Sequence, residues 1–111
     1  MRIKSQDYEN VTVVELQGEF DSDVVDMFQK NIMDIISKQT SGIVLSMAEV
    51  PFIDSEGLEQ MLWARDYCND NNCELRLAGL DENCSKIFEI TRLTGEFDKY
   101  TELTEAVKSF T

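Results

Sequence analysis

Pro51-Phe52-Ile53-Asp54-Ser55-Glu56-Gly57-Leu58-Glu59 marks the point where an apolar strand pattern ends in an Asp-Ser pair and a helical pattern begins. The first turn of a helix leaves backbone N–H groups unpaired and carries the positive end of the helix dipole, so an anion is tolerated there. A phosphate on the Ser55 hydroxyl would meet that local field, which makes a phosphoserine switch the first functional hypothesis. Asp and Ser are also preferred helix N-caps whatever the function, so the same pair reads as an ordinary cap.

Working upstream, Ile43-Val44-Leu45 is a short continuous apolar run of the kind found in a strand buried on both faces. Before it, Val25, Phe28, Ile32, Ile35 and Ile36 fall on one face of a helix spanning Val24 to Lys38, with Ser22 or Asp23 as its N-cap and Thr40-Ser41-Gly42 as its stop. Val11-Thr12-Val13-Val14-Glu15-Leu16 is a β-branched strand closed by Gly18. Ile3 to Tyr8 is expected to pair with it through a hairpin turn at Asp7-Tyr8-Glu9-Asn10.

Downstream, Leu58, Met61, Leu62 and Cys68 mark a second helix face, ending near Asn69 to Asn72. Trp63 and Tyr67 lie one turn apart on another side and read as packing residues; exposed beside Ser55, they would instead form a docking patch. Leu75 and Leu77 alternate with Glu74 and Arg76 in a further strand, and Gly79 breaks it before a third helix bearing Cys84, Ile87 and Phe88. After Gly95, Phe97 to Tyr100 suggests a last short strand, and Leu103, Val107 and Phe110 a terminal helix. Alternation of this kind specifies an α/β fold, one domain over residues 1–111, with a mixed and mostly parallel sheet of four to five strands and about four helices.

With 22 acidic and 10 basic residues the formal charge is −12, a surface that repels nucleic-acid phosphates and anionic lipid and attracts a partner with a basic face. No apolar run approaches the roughly 20 residues that span a bilayer, and Met1 to Gln6 lacks the apolar segment of a secretory signal, so the domain reads as cytoplasmic. Cys68, Cys73 and Cys84 show no C-x-x-C spacing and there is no histidine, which leaves no closed zinc site of the usual kind. The three read as small buried hydrophobes in a reducing compartment.

Independent catalysis finds no support in the residues. Without histidine a Ser-His-Asp triad cannot be built around Ser55, and neither a G-x-x-x-x-G-K-[ST] loop nor a G-x-G-x-x-G turn is present. Asp54 invites comparison with a phospho-accepting receiver aspartate, but Glu19 and Asp21 are split by Phe20, and Lys99 falls inside a strand pattern rather than at its end. No cofactor is expected.

Taken in order, these segments resemble the STAS domain, and within it the bacterial anti-sigma factor antagonists. Leu16-Gln17-Gly18-Glu19-Phe20-Asp21 is similar to the family's opening motif, and Asp54-Ser55-Glu56-Gly57-Leu58 to its D-S-[ST]-G-L signature. Leu75-Arg76-Leu77-Ala78-Gly79, the Ile87 to Leu93 segment and Phe97 to Ala106 are similar to the strand and helices that follow. The resemblance implies a non-enzymatic switch: the unphosphorylated protein binds an anti-sigma factor with serine kinase activity and frees the sigma factor, phosphorylation of Ser55 ends binding, and a PP2C-type phosphatase resets it. It implies a partner surface comprising Asp21, Asp54, Ser55, Glu56, Gly57 and Leu58, with Gly57 letting another backbone approach. Glu56 stands where the family carries a small Ser or Thr, either as a favourable helix-start charge or as a change in kinase docking. Ser46 stands where Asp or Asn is common at the end of the central strand. The alternative is a non-switching STAS scaffold subunit of a stress-signalling complex or transporter assembly, with Ser55 serving only as a cap. Weak nucleotide binding by the domain itself is a third, and it has no phosphate-binding loop behind it.

Overall fold

Val11 to Val14 are all β-branched, and the strand they open pairs with the more polar start of the chain as a hairpin. The computed structural model describes residues 1–110. β1 (Arg2–Tyr8) and β2 (Val11–Gln17) pair antiparallel through a two-residue turn in which Glu9 takes a left-handed φ of 56°. Such a turn matches the twist of the strands it joins. The chain then runs through a 3-10 turn (Ser22–Val24), α1 (Val25–Ser37), β3 (Gly42–Glu49), α2 (Ser55–Asp70), β4 (Glu74–Ala78) and α3 (Glu82–Ile90). A second 3-10 turn (Thr94–Glu96), β5 (Asp98–Tyr100) and α4 (Leu103–Lys108) complete it.

The strands lie in sequence order, β1-β2-β3-β4-β5, with β2 to β5 all parallel, so the expected α/β architecture is present, with five strands and four helices among the described residues. Val14, Leu16, Ile43, Leu45, Met47, Leu75 and Leu77 point to one face and are covered by Phe28, Ile32, Met61 and Phe88 of α1, α2 and α3. Val11, Val13, Val44 and Ala78 point to the other and are covered by Ala106 and its neighbours on α4. A strand pair buried on both faces must read as a continuous apolar run, which is why Ile43-Val44-Leu45 was legible as the centre.

Several boundaries differ from expectation for local reasons. Gly42 opens β3 instead of ending α1, because a Cβ there would fall inside the ring of Phe110, which α4 lays across the sheet. Arg76 on β4 closes over that ring, its guanidinium 4.0 Å from the ring centre. Ser46 sits inside β3, opposite Ala78, because the strand continues to Glu49. α2 carries a polar residue inward: Gln60 is buried and its Oε1 accepts from Gln29 Nε2 of α1 at 2.8 Å.

The first three helices all end without glycine. Gln39, Asn72 and Arg92 adopt left-handed φ of 62°, 58° and 61° just beyond them. Beyond α3, Leu93 N–H donates to the Phe88 carbonyl at 2.8 Å, the long-range bond of a Schellman ending, with Arg92 at the left-handed position. A Cβ costs on the order of 1 kcal/mol in that conformation. The exposed Arg92 is the cleanest place to remove it. Arg92→Gly is expected to stabilise the domain by about 1 kcal/mol, read as a higher midpoint in urea unfolding, and an unchanged or lower midpoint would show that the left-handed position is unstrained.

Candidate functional site

Three β-to-α loops leave the carboxyl ends of β2, β3 and β4, and an aspartate caps the helical turn that follows each. Asp21 Oδ1 accepts from the Asp23 N–H at 3.0 Å, Asp54 Oδ1 from the Gly57 N–H at 2.9 Å, and Asp81 Oδ1 from the Cys84 N–H at 2.8 Å. The expected cap of the first helix, Ser22 or Asp23, is therefore replaced by Asp21, because the chain first makes the 3-10 turn and enters α1 from it.

The first two loops are joined beyond the ends of their strands. Gly18 N–H donates to the Glu49 carbonyl at 3.0 Å, Phe20 N–H to the Phe52 carbonyl at 2.9 Å, and Asp54 N–H to the Phe20 carbonyl at 3.2 Å. Phe20 and Ile53 thus form an isolated parallel bridge, with both side chains buried. Between β2 and β3 the register slips by one residue, from Glu15 opposite Ser46 to Gln17 opposite Glu49, just before this junction. From the other side the Cys84 thiol of α3 donates to the Val50 carbonyl at 3.2 Å. Burial pushes that thiol up to about 12, so it stays protonated and available as a donor.

Gly57 is where this junction meets α2. A Cβ at Gly57 would overlap the Phe20 carbonyl oxygen and press on the Ile53 side chain. The backbone that approaches Gly57 is thus the chain's own. Leu58 is buried as well, so of the six residues expected at a partner surface these two face inward.

Ser55 is the first residue of α2, exposed, and its side chain makes no hydrogen bond among the described residues. The cap is Asp54. Glu56 is exposed in the first turn beside it. Asp21 and Asp54 lie on joined loops, and Glu19, Asp23 and Glu56 are exposed near them in sequence, which makes the helix-start edge rich in carboxylates. Among the described residues no three His, Cys, Asp or Glu side chains are arranged to hold a metal ion.

One surface residue of this junction escaped the sequence reading. Phe52 is 48% exposed next to the exposed Pro51, while Val50 and Ile53 on either side are buried. The bridge that turns Ile53 inward turns Phe52 outward, by the alternation of an extended segment. Trp63 and Tyr67, by contrast, pack as expected: Tyr67 stacks on Trp63 at 5.1 Å, and Trp63 meets the buried Phe28 of α1 edge-on at 6.5 Å.

These roles separate in stability measurements. Asp54→Ala is expected to cost about 1 kcal/mol through the lost cap, and Gly57→Ala about 2 kcal/mol or more because the clash with Phe20 outweighs the gain in helix propensity. Ser55→Ala should leave urea stability within about 0.5 kcal/mol. A loss at Ser55 equal to that at Asp54 would contradict the assignment of the cap.

The STAS domain family model matches residues 2–107. Among solved structures, an anti-sigma factor antagonist from Mycobacterium paratuberculosis is 18% identical with a TM-score of 0.86, covering 97% of this chain and 92% of that one. The Bacillus cell fate determinant SpoIIAA in its phosphorylated form is 19% identical with a TM-score of 0.77, covering 99% and 100%. A sulfate transporter family protein from Wolinella succinogenes is 20% identical with a TM-score of 0.82, covering 92% and 85%. At these identities the likeness is one of fold. No curated protein sequence matches the chain.

Proposed function

The chain belongs to the STAS domain family, and from that premise we propose that it is an anti-sigma factor antagonist switched by phosphorylation of Ser55. The observation that carries this reading is the division of labour at the start of α2. Asp54 satisfies the helix end, so the Ser55 hydroxyl is exposed and uncommitted at the position where a phosphate is locally tolerated. Further support comes from the likeness to SpoIIAA, a protein solved in a phosphorylated form.

In the unmodified state the partner is an anti-sigma factor with serine kinase activity, acting from the cytoplasm on a soluble domain. Among the described residues no helix is long and apolar enough to cross a membrane. Phe52 supplies an apolar anchor, and Asp21, Asp54 and Glu56 present negative charge to a basic rim on the partner. Gly57 and Leu58 act from behind, by holding the loop. Glu56 serves both as a favourable charge in the first turn and as part of the surface the kinase meets. A phosphate adds nearly two negative charges and three acceptor oxygens at the centre of that contact. The helix start accommodates it, the packed interface does not, and the complex is released until a PP2C-type phosphatase removes it.

A scaffold role within a larger assembly is the second reading, favoured by the likeness to the sulfate transporter family protein. It loses its structural argument for Ser55, because the cap belongs to Asp54.

The test is incubation with an anti-sigma factor kinase and ATP, followed by peptide mass spectrometry. One phosphate on Ser55, absent from Ser55→Ala, and at least a tenfold loss of affinity for the kinase are expected, the latter about 1.4 kcal/mol. Stable binding with no transfer would move the scaffold reading to first place. Phe52→Ala, being half-exposed, should weaken the unmodified complex by roughly tenfold or more while leaving the thermal midpoint nearly unchanged; unaltered affinity would remove the anchor from the interface.

A further inference from the structure

The far end of α2 holds a second pair of reactive groups, brought together by the way the helix stops. Asn71 N–H and Cys73 N–H both donate to the Cys68 carbonyl, at 3.0 and 2.9 Å, and Asn72 between them is left-handed with φ 58°. This is a Schellman ending, in which the side chain of the residue three before the cap meets that of the residue two after it. With Asn71 at the cap, those two residues are Cys68 and Cys73. Both are buried, at 0% and 2% exposure, and both are free thiols. The Cys73 Sγ lies 3.9 Å from the Glu74 carbonyl oxygen, and the interaction between the two neighbouring thiols, reinforced by burial, holds Cys68 well above the ordinary thiol range. The same interaction favours the thiolate at Cys73 and lowers it.

We propose that Cys68 and Cys73 are a reversible redox site, closing to an intramolecular disulfide across the end of α2 when a low-molecular-weight disulfide oxidises the pair. The Cys73 thiolate attacks one sulfur of the oxidant, forming a mixed disulfide and releasing one thiolate, which takes up the Cys68 proton. The Cys68 sulfur then attacks the Cys73 sulfur and expels the second thiolate, which is protonated from solvent. The oxidant becomes two thiols, and the protein, with one thiol proton going to each leaving group, loses two hydrogens. The Cys73 N–H to Cys68 carbonyl bond draws the two Cα atoms to the separation a disulfide spans, so closure needs rotation about the side-chain bonds and little backbone movement. Access comes from the exposed polar stretch Asn69 to Asn72, where a helix end opens at low cost. Cys84 is an internal control, buried in the first turns of α3 with its thiol bonded to the Val50 carbonyl.

Native protein is equilibrated in glutathione buffers of increasing oxidised fraction, alkylated and digested. A two-hydrogen loss linking Cys68 to Cys73 is expected, reversed by dithiothreitol, with Cys84 alkylated only after unfolding. The oxidised form should melt higher by on the order of 5 °C. Phenylarsine oxide, which is retained only by two thiols within joint reach, should bind once per chain and protect both cysteines, in the wild type and in Cys84→Ser but not in Cys73→Ser. The proposal is overturned if glutathione stops as a mixed disulfide on one cysteine, if a bond to Cys84 forms instead, if oxidation lowers the melting point, or if the native chain neither closes the bond nor retains arsenic under conditions in which the urea-unfolded chain does.

Discussion

Phe20 carries both hydrogen bonds that fasten the β2 loop to the stretch leading into α2, its N–H giving to the Phe52 carbonyl and its carbonyl receiving from the Asp54 N–H. Its ring is fully buried and meets Phe28 of α1 at 4.9 Å. The same carbonyl oxygen occupies the space in front of Gly57, so the first turn of α2 can sit at this height over the sheet only while residue 57 lacks a side chain. The constraint is steric and backbone-to-backbone, which makes it stiff: neither partner is the flexible end of a side chain. Everything at the helix start inherits its position from it, including the Asp54 carboxylate that caps the turn and the hydroxyl one residue later.

A capped helix start with a free serine beside it is a different object from a serine-capped one. Had Ser55 been the cap, attaching phosphate would have competed with a hydrogen bond worth about 1 kcal/mol, and modification would have been coupled to fraying of α2. With Asp54 in that role, modification leaves the helix bonded and changes only what the surface offers. Exposed carboxylates farther than about 8 Å from Ser55 are screened at physiological salt and repel an added anion weakly. A buried contact is screened much less, so the added charge is felt chiefly by whatever covers it. The aspartate caps on three successive loops give this edge its sign, and sign rather than shape is what would steer a basic partner to it.

The architecture was readable because its elements have clear periods: Phe28, Ile32, Ile35 and Ile36 repeat as a helix face, and Ile43-Val44-Leu45 can only be a strand covered twice. Asp54 and Ser55 were readable as a junction, but which of the two caps α2 depends on where the first turn starts, and the dipeptide is compatible with either. Gly57 was recognised as permitting a close approach; that the approaching backbone is Phe20 follows from pairing across 33 positions of sequence, which no local pattern reports. Phe52 was hidden for the same reason, since only the bridge through Ile53 fixes which of the two side chains faces out. The ends of α1 near Lys38 and of α2 near Asn69 to Asn72 were readable, but the Gly42 offered as part of the first stop is not the residue that makes it. This chain uses Gln39, Asn72 and Arg92 instead and reserves Gly42 for the seat of Phe110. The pairing of Cys68 with Cys73 is invisible to a search for C-x-x-C, because the contact is made by the stop signal of the helix and not by its period.

α2 is thus one rigid element with different chemistry at its two ends, about 20 Å apart by helix length. That distance exceeds two Debye lengths at physiological salt, so charge at one end has little direct purchase on the other. Mechanical coupling is a separate matter. A cross-link from Cys68 to Cys73 would restrain the last turn and its exit into β4, whereas the first turn is held by Phe20, Asp54 and the Cys84 thiol on Val50, none of which touches that exit. Between the ends, Gln60 is pinned to Gln29 of α1, and Met61 and Ala64 are fully buried, so a shift of the helix along its axis would break a buried hydrogen bond and repack the core. The middle of the helix therefore isolates its ends, and a cross-link at the thiols would alter how firmly α2 is anchored without altering what Ser55 presents.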